Sequence, residues 1–393
     1  MSTIKVNRIE NTSTTDGGVS IDVNGHVTID GQQMPTEGNS NLNLIHNPHM
    51  GWSSRGFANG SGRKGVFACD RWNGTWLNDD DFTQSRLTLA ASDDPYDEGN
   101  RHALRITSTG NHTAAGDYCW VQQGISGGDV LNFGWRYSNS NSYITVSFWI
   151  RSSVSQKYIV TIQAVEPAPD RMYSFVTDTL VAGEWTLVTK TIPGDPTSTQ
   201  LLRTTAARYY LRFNLFSGSD FTDPSVSFNT WYDYATDART PDVDNTFAST
   251  ANATVDITEV MINLGSLRGA YKMMPYAEEQ QLMALFCRNI AEGEHYALGM
   301  AAYYTNTAAY MTMPLSPRMR GTPTAFIAAG TNTYDIFRSS GADSCDSPAL
   351  TNNARPWCVE FSFTGNVSGT AGQAGFVRTD NTSCRIFLDA DIS

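Results

Sequence analysis

Across residues 44–264 the apolar side chains recur with a period of two, and the sequence there shows no helical period. The segment YITVSFWIR sets the pattern. Ile144, Val146, Phe148 and Ile150 point to one face, and Thr145, Ser147, Trp149 and Arg151 to the other. On the same reading strands are expected at 65–72, 103–108, 118–122, 143–151, 158–165, 173–176, 184–192, 209–216 and 253–264. In the last of these Val255 and Ile257 share one parity while Val260, Ile262 and Leu264 have the other, so a β-bulge is expected near Thr258 and Glu259. Short strands joined by polar turns predict a two-sheet sandwich, most simply a jelly roll.

Three smaller alternations precede this region: Ile4/Val6, Val19/Ile21/Val23 and Val27/Ile29. They are separated by Asp16-Gly17-Gly18, Asn24-Gly25 and Asp30-Gly31, which carry hairpin-turn chemistry. Strands this short bury too little apolar surface to stand alone, so the segment needs a packing partner. Residues 35–43, PTEGNSNLN, read as a flexible joint. The expected organisation is therefore a β segment at 1–34, a linker at 35–43, a jelly-roll-like sandwich at 44–272, and one helix leading into a β-rich region at 273–393.

That helix is expected over 277–290. Pro275 precedes it, Glu278 and Glu279 occupy the first turn where the helix dipole favours them, and Gly293 stops it. Leu282, Leu285, Phe286 and Ile290 then form one apolar stripe. Further strands are expected around 296–302, 309–314, 324–329, 357–363, 376–378 and 385–390. Residues 220–252 form a long polar loop carrying Phe228, Trp231, Tyr232 and Tyr234, and loops of that length are usually functional or disordered.

Charge excludes several partners. A net charge of −12 and a pI near 4.9, without any run of five Lys or Arg, argue against nucleic acid. No 18-residue apolar run is present to insert in a membrane. Lys5, Asn7, Arg8 and Glu10 break up what would be a signal-peptide core, so synthesis in the cytoplasm is expected. The six cysteines lack metal-site spacing and are expected to be reduced and buried, with Cys345 and Cys358 the pair if any bridge forms.

The catalytic patterns fail on context. GSGRKG at 60–65 copies a dinucleotide fingerprint but is followed by extended chain rather than a helix. GISGG at 124–128 copies a nucleophile elbow around Ser126, yet its glycines read as a loop between strands. His46 and His49 flank Asn47-Pro48, which forbids a helix aiming both at one metal. The loop carboxylates Asp79–Asp81, Asp93/Asp94/Asp97/Glu98 and Asp242/Asp244 read by default as solvated acidic loops, with a structural calcium the alternative, and none forms an EF-hand. No other cofactor is expected. Among the aromatics outside clear core parity are Trp76, Trp231, Tyr232, Tyr234, Tyr303, Tyr304 and Tyr310. Such rings can stack on the C–H faces of sugars, although packing is the commoner role.

Three stretches resemble bacteriophage tail-fibre and virion-appendage proteins, particularly those of marine and cyanobacterial phages. They are the opening TIKVNRIEN…VSIDVNGHVTIDG; LIHNPHMGWSSRG…CDRW, with VDITEVMINLG closing that domain; and EEQQLMALFCRNI, followed by PLSPRMRGTPT and RIFLDADIS. One departure is that Cys287-Arg288 leads here to Asn289-Ile290 rather than to paired Tyr. The resemblance implies a non-enzymatic structural virion protein, homotrimeric, with a carbohydrate-binding-module-like jelly roll and a trimeric C-terminal head. The N-terminal segment would attach to a phage tail or capsid protein. Its residues Ile4, Val6, Ile9, Val19, Ile21, Val23, Val27 and Ile29 would close on two further copies, as would the helix stripe Leu282, Leu285, Phe286 and Ile290. The outer domains would contact host cell-surface polysaccharide, with Trp231, Tyr232, Tyr234, Tyr303 and Tyr304 as the expected glycan contacts. A capsid or neck appendage with weak or no receptor binding stays open. A glycan depolymerase would need a β-helix repeat, and no such repeat is visible.

Overall fold

Phe148 meets Phe213 edge-to-face at 4.8 Å, and around this contact two six-stranded antiparallel sheets close into a sandwich. A computed structural model describes the strands at 8–10, 18–21, 27–29, 32–33 and 60–61 as backbone. It describes 42–54, 68–77, 81–110, 112–166, 169–198, 204, 206–237, 239–243, 246–339 and 341–391 with their side chains. The fold is all-β, with 44% strand and 7% helix. It divides into two units; the described residues 52–54 and 68–72 cluster with the C-terminal unit although they fall within 44–272.

The first sheet of the sandwich runs Trp185–Pro193, Tyr143–Ser152, Thr254–Leu264, His102–Ser108, Phe82–Thr88, Gly60–Ser61. The second runs Trp231–Asp233, Arg171–Val176, Ile159–Ala164, Ala207–Ser217, Tyr118–Ser126, Asn73–Trp76. Ile144, Val146, Phe148 and Ile150 are all buried, as the alternation requires. The bulge lies where the parity switch demanded it: Ser147 pairs with Met261 but Trp149 pairs with Thr258, leaving Glu259 and Val260 opposite one residue. Glu259 takes the left-handed conformation there, φ 52°.

Two expectations at the strand level fail. Phe82–Thr88 forms a strand that the sequence hides, because Gln84 and Arg86 occupy the positions where apolar residues would have marked a face. At 65–72 the described residues 68–72 are turn, and the strand starts at Asn73. Short helices at Asp94–Asp97 and Gly127–Phe133 also interrupt the β region.

In the N-terminal segment the four short strands pair in sequence order. Ile9 lies opposite Val19, Val19 opposite Ile29, and Ile21 opposite Val27. Ile4, Val6 and Val23 lie outside the described residues.

The C-terminal unit contains a three-stranded sheet, Cys287–Glu292, Arg385–Asp389, Thr324–Ile327. Its seven-stranded sheet is ordered Gly341–Cys345, Tyr334–Arg338, Ala374–Thr379, Ala297–Thr305, Ala308–Pro314, Cys358–Phe363, Ala349–Leu350. The expected helix is much shorter, Tyr276–Met283, because residues 287–292 pair with the closing strand instead. Arg288 Nε caps the freed Ala284 carbonyl at 3.0 Å. The apolar stripe therefore does not exist as one face. Phe286 is fully buried under the Arg71 guanidinium at 4.1 Å, and Ile290 packs against its own unit's core. Leu282 and Leu285 are half-buried. All six cysteines are free thiols, so Cys345 and Cys358 form no bridge; Cys345 Sγ instead donates to the Tyr334 carbonyl.

Candidate functional site

Strand Ala207–Ser217 sends Tyr209, Leu211, Phe213 and Leu215 into the core. Its alternate residues Tyr210, Arg212 and Asn214 consequently lie on the outer face of the second sheet. The register brings neighbours onto the same face. Gln122 and Gln163 lie beside Arg212 and Tyr210, Trp120 and Thr161 beside Asn214 and Arg212, and Ser174 and Tyr232 farther towards the edge.

These side chains form two hydrogen-bonded chains side by side on that face. Arg212 donates from Nε to Gln122 Oε1 at 3.0 Å and from Nη2 to Gln163 Oε1 at 2.9 Å. Asn214 Nδ2 donates to Thr161 Oγ1, Thr161 meets Ser174 Oγ at 3.0 Å, and Ser174 Oγ meets the Tyr232 hydroxyl at 2.6 Å. Gln163 Nε2 donates to Asp170 Oδ2. Side chains tied to one another in this way are held in place, which is what holding a ligand in one pose requires.

An aromatic wall borders these side chains. Tyr118 and Trp120 stack at 4.5 Å with an interplanar angle of 19°, and Phe221 meets Tyr118 edge-on. The Arg212 guanidinium lies 4.8 Å from the Trp120 ring centre and that of Arg239 lies 5.7 Å from it. Arg239 also covers Phe221 at 4.1 Å. Tyr118, Trp120, Gln122, Tyr210, Tyr232 and Tyr234 are all half-buried, presenting part of each side chain to solvent. Burial lowers the Arg212 pKa to about 10 and raises that of Tyr232 to about 12, so at neutral pH the first stays cationic and the second stays a phenol.

The long loop contributes to this site as an ordered element. It adds strand Trp231–Asp233 to the sheet edge, bridges Thr222 to Thr240, and receives a hydrogen bond from the Tyr232 hydroxyl at the Arg239 carbonyl, 2.9 Å. Tyr232 and Tyr234 thus reach the candidate face. Trp231 does not: it packs among Trp135, Tyr137 and Tyr173, and its indole N–H donates to the Pro193 carbonyl at 2.9 Å. Adjacent strand residues point oppositely, so Trp231 and Tyr232 could not both serve one surface.

The remaining expected contacts lie in the C-terminal unit. Tyr303 is 2% exposed and donates its hydroxyl to Asp343 Oδ2 at 2.6 Å, so it is a core residue with no ring face for a sugar. Tyr304 is 77% exposed, stands at 86° to Tyr310, and overlooks a shallow depression shared with Asn353 and Glu360. Trp76 is buried against Phe82. The sequence reading passed over Trp120, Tyr118, Tyr210, Arg212 and Arg239. For the strand residues the signal was parity within YCWVQQ and RYYLRFN, where the polar and aromatic positions alternate with Cys119, Val121, Leu211 and Phe213.

The other motifs are absorbed by structure. Ser126 does open a helix, contrary to the loop expected there, but it is 1% exposed and its Oγ caps that helix by accepting from the Asp129 N–H. Asp93 is engaged by Arg151 and Trp185, and Asp81 by His112. Among the described residues no cluster of three His, Cys, Asp or Glu side chains could hold a metal ion. Among the same residues no helix is long and apolar enough to cross a membrane.

A two-sheet antiparallel sandwich with a polar and aromatic outer face defines the structural class. No family model and no curated protein matches this sequence. Similar solved structures include the enzymatically active domain of tailspike protein 4 from bacteriophage CBA120, at 12% identity and TM-score 0.30, covering 57% of this chain and 22% of that one. The CBM22-2 xylan-binding domain of Paenibacillus barcinonensis Xyn10C is 12% identical at TM-score 0.29, covering 53% and 98%. The C-terminal family 22 carbohydrate-binding module of Clostridium thermocellum Xyn10B is 11% identical at TM-score 0.27, covering 53% and 92%. The chain thus spans about a fifth of the tailspike domain's length and nearly all of each module's. At these scores the likenesses carry no argument about this chain.

Proposed function

We propose that the outer face of the second sheet binds a polysaccharide, and that the chain is a non-catalytic, homotrimeric bacteriophage tail fibre. In this reading residues 1–34 attach it to the tail and the sandwich contacts glycans of the host surface. The carrying observation is the stacked Tyr118–Trp120 pair beside a layer of hydrogen-bonded amide, hydroxyl and guanidinium groups. A ring that stacks the apolar face of a sugar, next to groups that bond its hydroxyls, is the general form of a glycan site. The layer is built on amides and hydroxyls rather than on two carboxylates flanking a bond, which favours binding over hydrolysis. The virion assignment is supported by the sequence resemblance of the N-terminal segment and of the helix with MRGTPT.

The test is binding of labelled full-length protein to host cells and to immobilised polysaccharides. Trp120→Ala is expected to weaken binding at least tenfold while leaving the melting profile in place. Undiminished binding by that variant would move the site elsewhere, with the Tyr304 and Tyr310 depression the next to mutate. Release of reducing ends from a bound polysaccharide would overturn the non-catalytic assignment.

A further inference from the structure

The two outer faces of the sandwich differ in how they neutralise arginine. On the first sheet Arg105 and Arg151 share the buried Asp256, at 2.7 and 2.9 Å, and Arg151 also reaches Asp93 at 2.8 Å. On the second sheet Arg212 is only 9% exposed, yet its hydrogen-bond partners are two neutral amide oxygens. Among the described residues no carboxylate lies within 4.0 Å of Arg208, Arg212 or Arg239. Asp170 is the carboxylate on this face, and its Oδ2 accepts from the Gln163 amide. The neighbouring phenols Tyr210 and Tyr232 cannot substitute, since burial raises their pKa and keeps them neutral.

Two unused donors lie at the same place: Arg239 Nε and Trp120 Nε1 are buried without hydrogen-bond partners. Buried polar groups are normally satisfied, and a guanidinium held out of water without a counter-charge is costly. Two cations without a carboxylate partner flank one half-buried indole here. That is the complement of an anionic ligand carrying a ring.

We infer that this face selects an acidic polysaccharide, a carboxylate- or sulfate-bearing residue placing its anion against Arg212 and Arg239 while a sugar ring stacks on Trp120. The inference rests on the glycan-binding reading and names the class of glycan. Local complementarity must do the selecting, because the chain as a whole carries −12 and repels polyanions at long range.

The test is affinity electrophoresis of the full chain in matched gels: dextran sulfate against dextran, and polygalacturonate against β-1,4-galactan. At least one acidic member is expected to retard the protein tenfold more strongly than its neutral partner, and the pair that does so identifies sulfate or carboxylate as the anion. Arg239→Gln is expected to remove most of that preference. Arg212→Gln should remove it too, with Arg212→Lys restoring part through charge alone, and Arg239→Gln carries the test should the buried Arg212 variants fail to fold. Equal retardation by acidic and neutral partners overturns the acidic preference and leaves glycan binding standing. Retardation by none of the four overturns both. Equal retention by single-stranded DNA would mark a general polyanion surface and overturn the inference as well.

Discussion

Glu259 is 1% exposed at the bulge of the longest strand in the first sheet, where Asn100 Nδ2 donates to its Oε2 at 2.6 Å and Arg268 donates to its Oε1. Arg268 is shared with Glu98 at 3.2 Å. Burial is the main cause that raises the Glu259 pKa to about 7, with the nearby Glu98 charge adding to it. A carboxyl whose folded pKa lies above its unfolded value favours the folded state when protonated. Its contribution is full below the ordinary carboxylate range and is lost as pH rises through about 7. The melting temperature is expected to fall between pH 5 and pH 8, by the equivalent of about 1–3 kcal/mol, and Glu259→Gln should flatten that slope. A slope that survives the substitution would assign it to another group. Trp231 supplies a second test at this scale. Its ring closes a cluster with Trp135, Tyr137 and Tyr173, so Trp231→Ala is expected to cost about 3–5 kcal/mol in denaturant unfolding. The loop composition around Trp231 suggested an exposed ligand contact, and only the pairing of 231–233 with 171–173 reveals which way the ring points.

Most strands, though neither the expected one at 65–72 nor the observed one at 82–88, were legible in the sequence because one face lies in a core. YITVSFWIR, RYYLRFNLFS and TVDITEVMINL alternate in residue type although burial in these strands extends to both faces, and even the bulge followed from parity. The face that carries the candidate site was not legible as a unit, since its residues come from strands 118–126, 159–164, 171–176 and 207–217 and meet only through register. The helix was over-read for a related reason. Leu285, Phe286 and Ile290 recur at helical spacing, yet pairing of Cys287–Glu292 with the closing strand outweighs local propensity. The element that joins loop to site is Trp231–Asp233, tied down by the Tyr232 hydroxyl between Ser174 Oγ and the Arg239 carbonyl. Tyr232→Phe removes that tie at a net cost of about 1 kcal/mol and frees Arg239 to move, so it should weaken polysaccharide binding severalfold while leaving global stability nearly unchanged. An unaltered affinity would show that the loop is held by its other contacts, such as the donation of the Arg239 N–H to the Phe221 carbonyl.

For the whole molecule the proposed trimer makes the weakest single contact sufficient. One sugar-binding face of this size, open to water, is the kind that binds a short glycan only modestly, but three faces on one fibre engage a repeating polymer together. Light scattering is expected to give three times the 43.1 kDa chain mass. Removing residues 1–41 separates the roles. A truncated protein that becomes a monomer should keep its affinity for a single oligosaccharide, because Trp120, Arg212 and Arg239 lie in the sandwich, yet lose about 10²–10⁴ in avidity for host cells. A truncated protein that stays trimeric would place the assembly contacts in the C-terminal unit, whose outer surface exposes Met300, Tyr304 and Phe376. A full-length chain that is monomeric would leave the pairing of Ile9, Val19 and Ile29 without its proposed partner copies, and with it the reason for so short a β segment ahead of the sandwich.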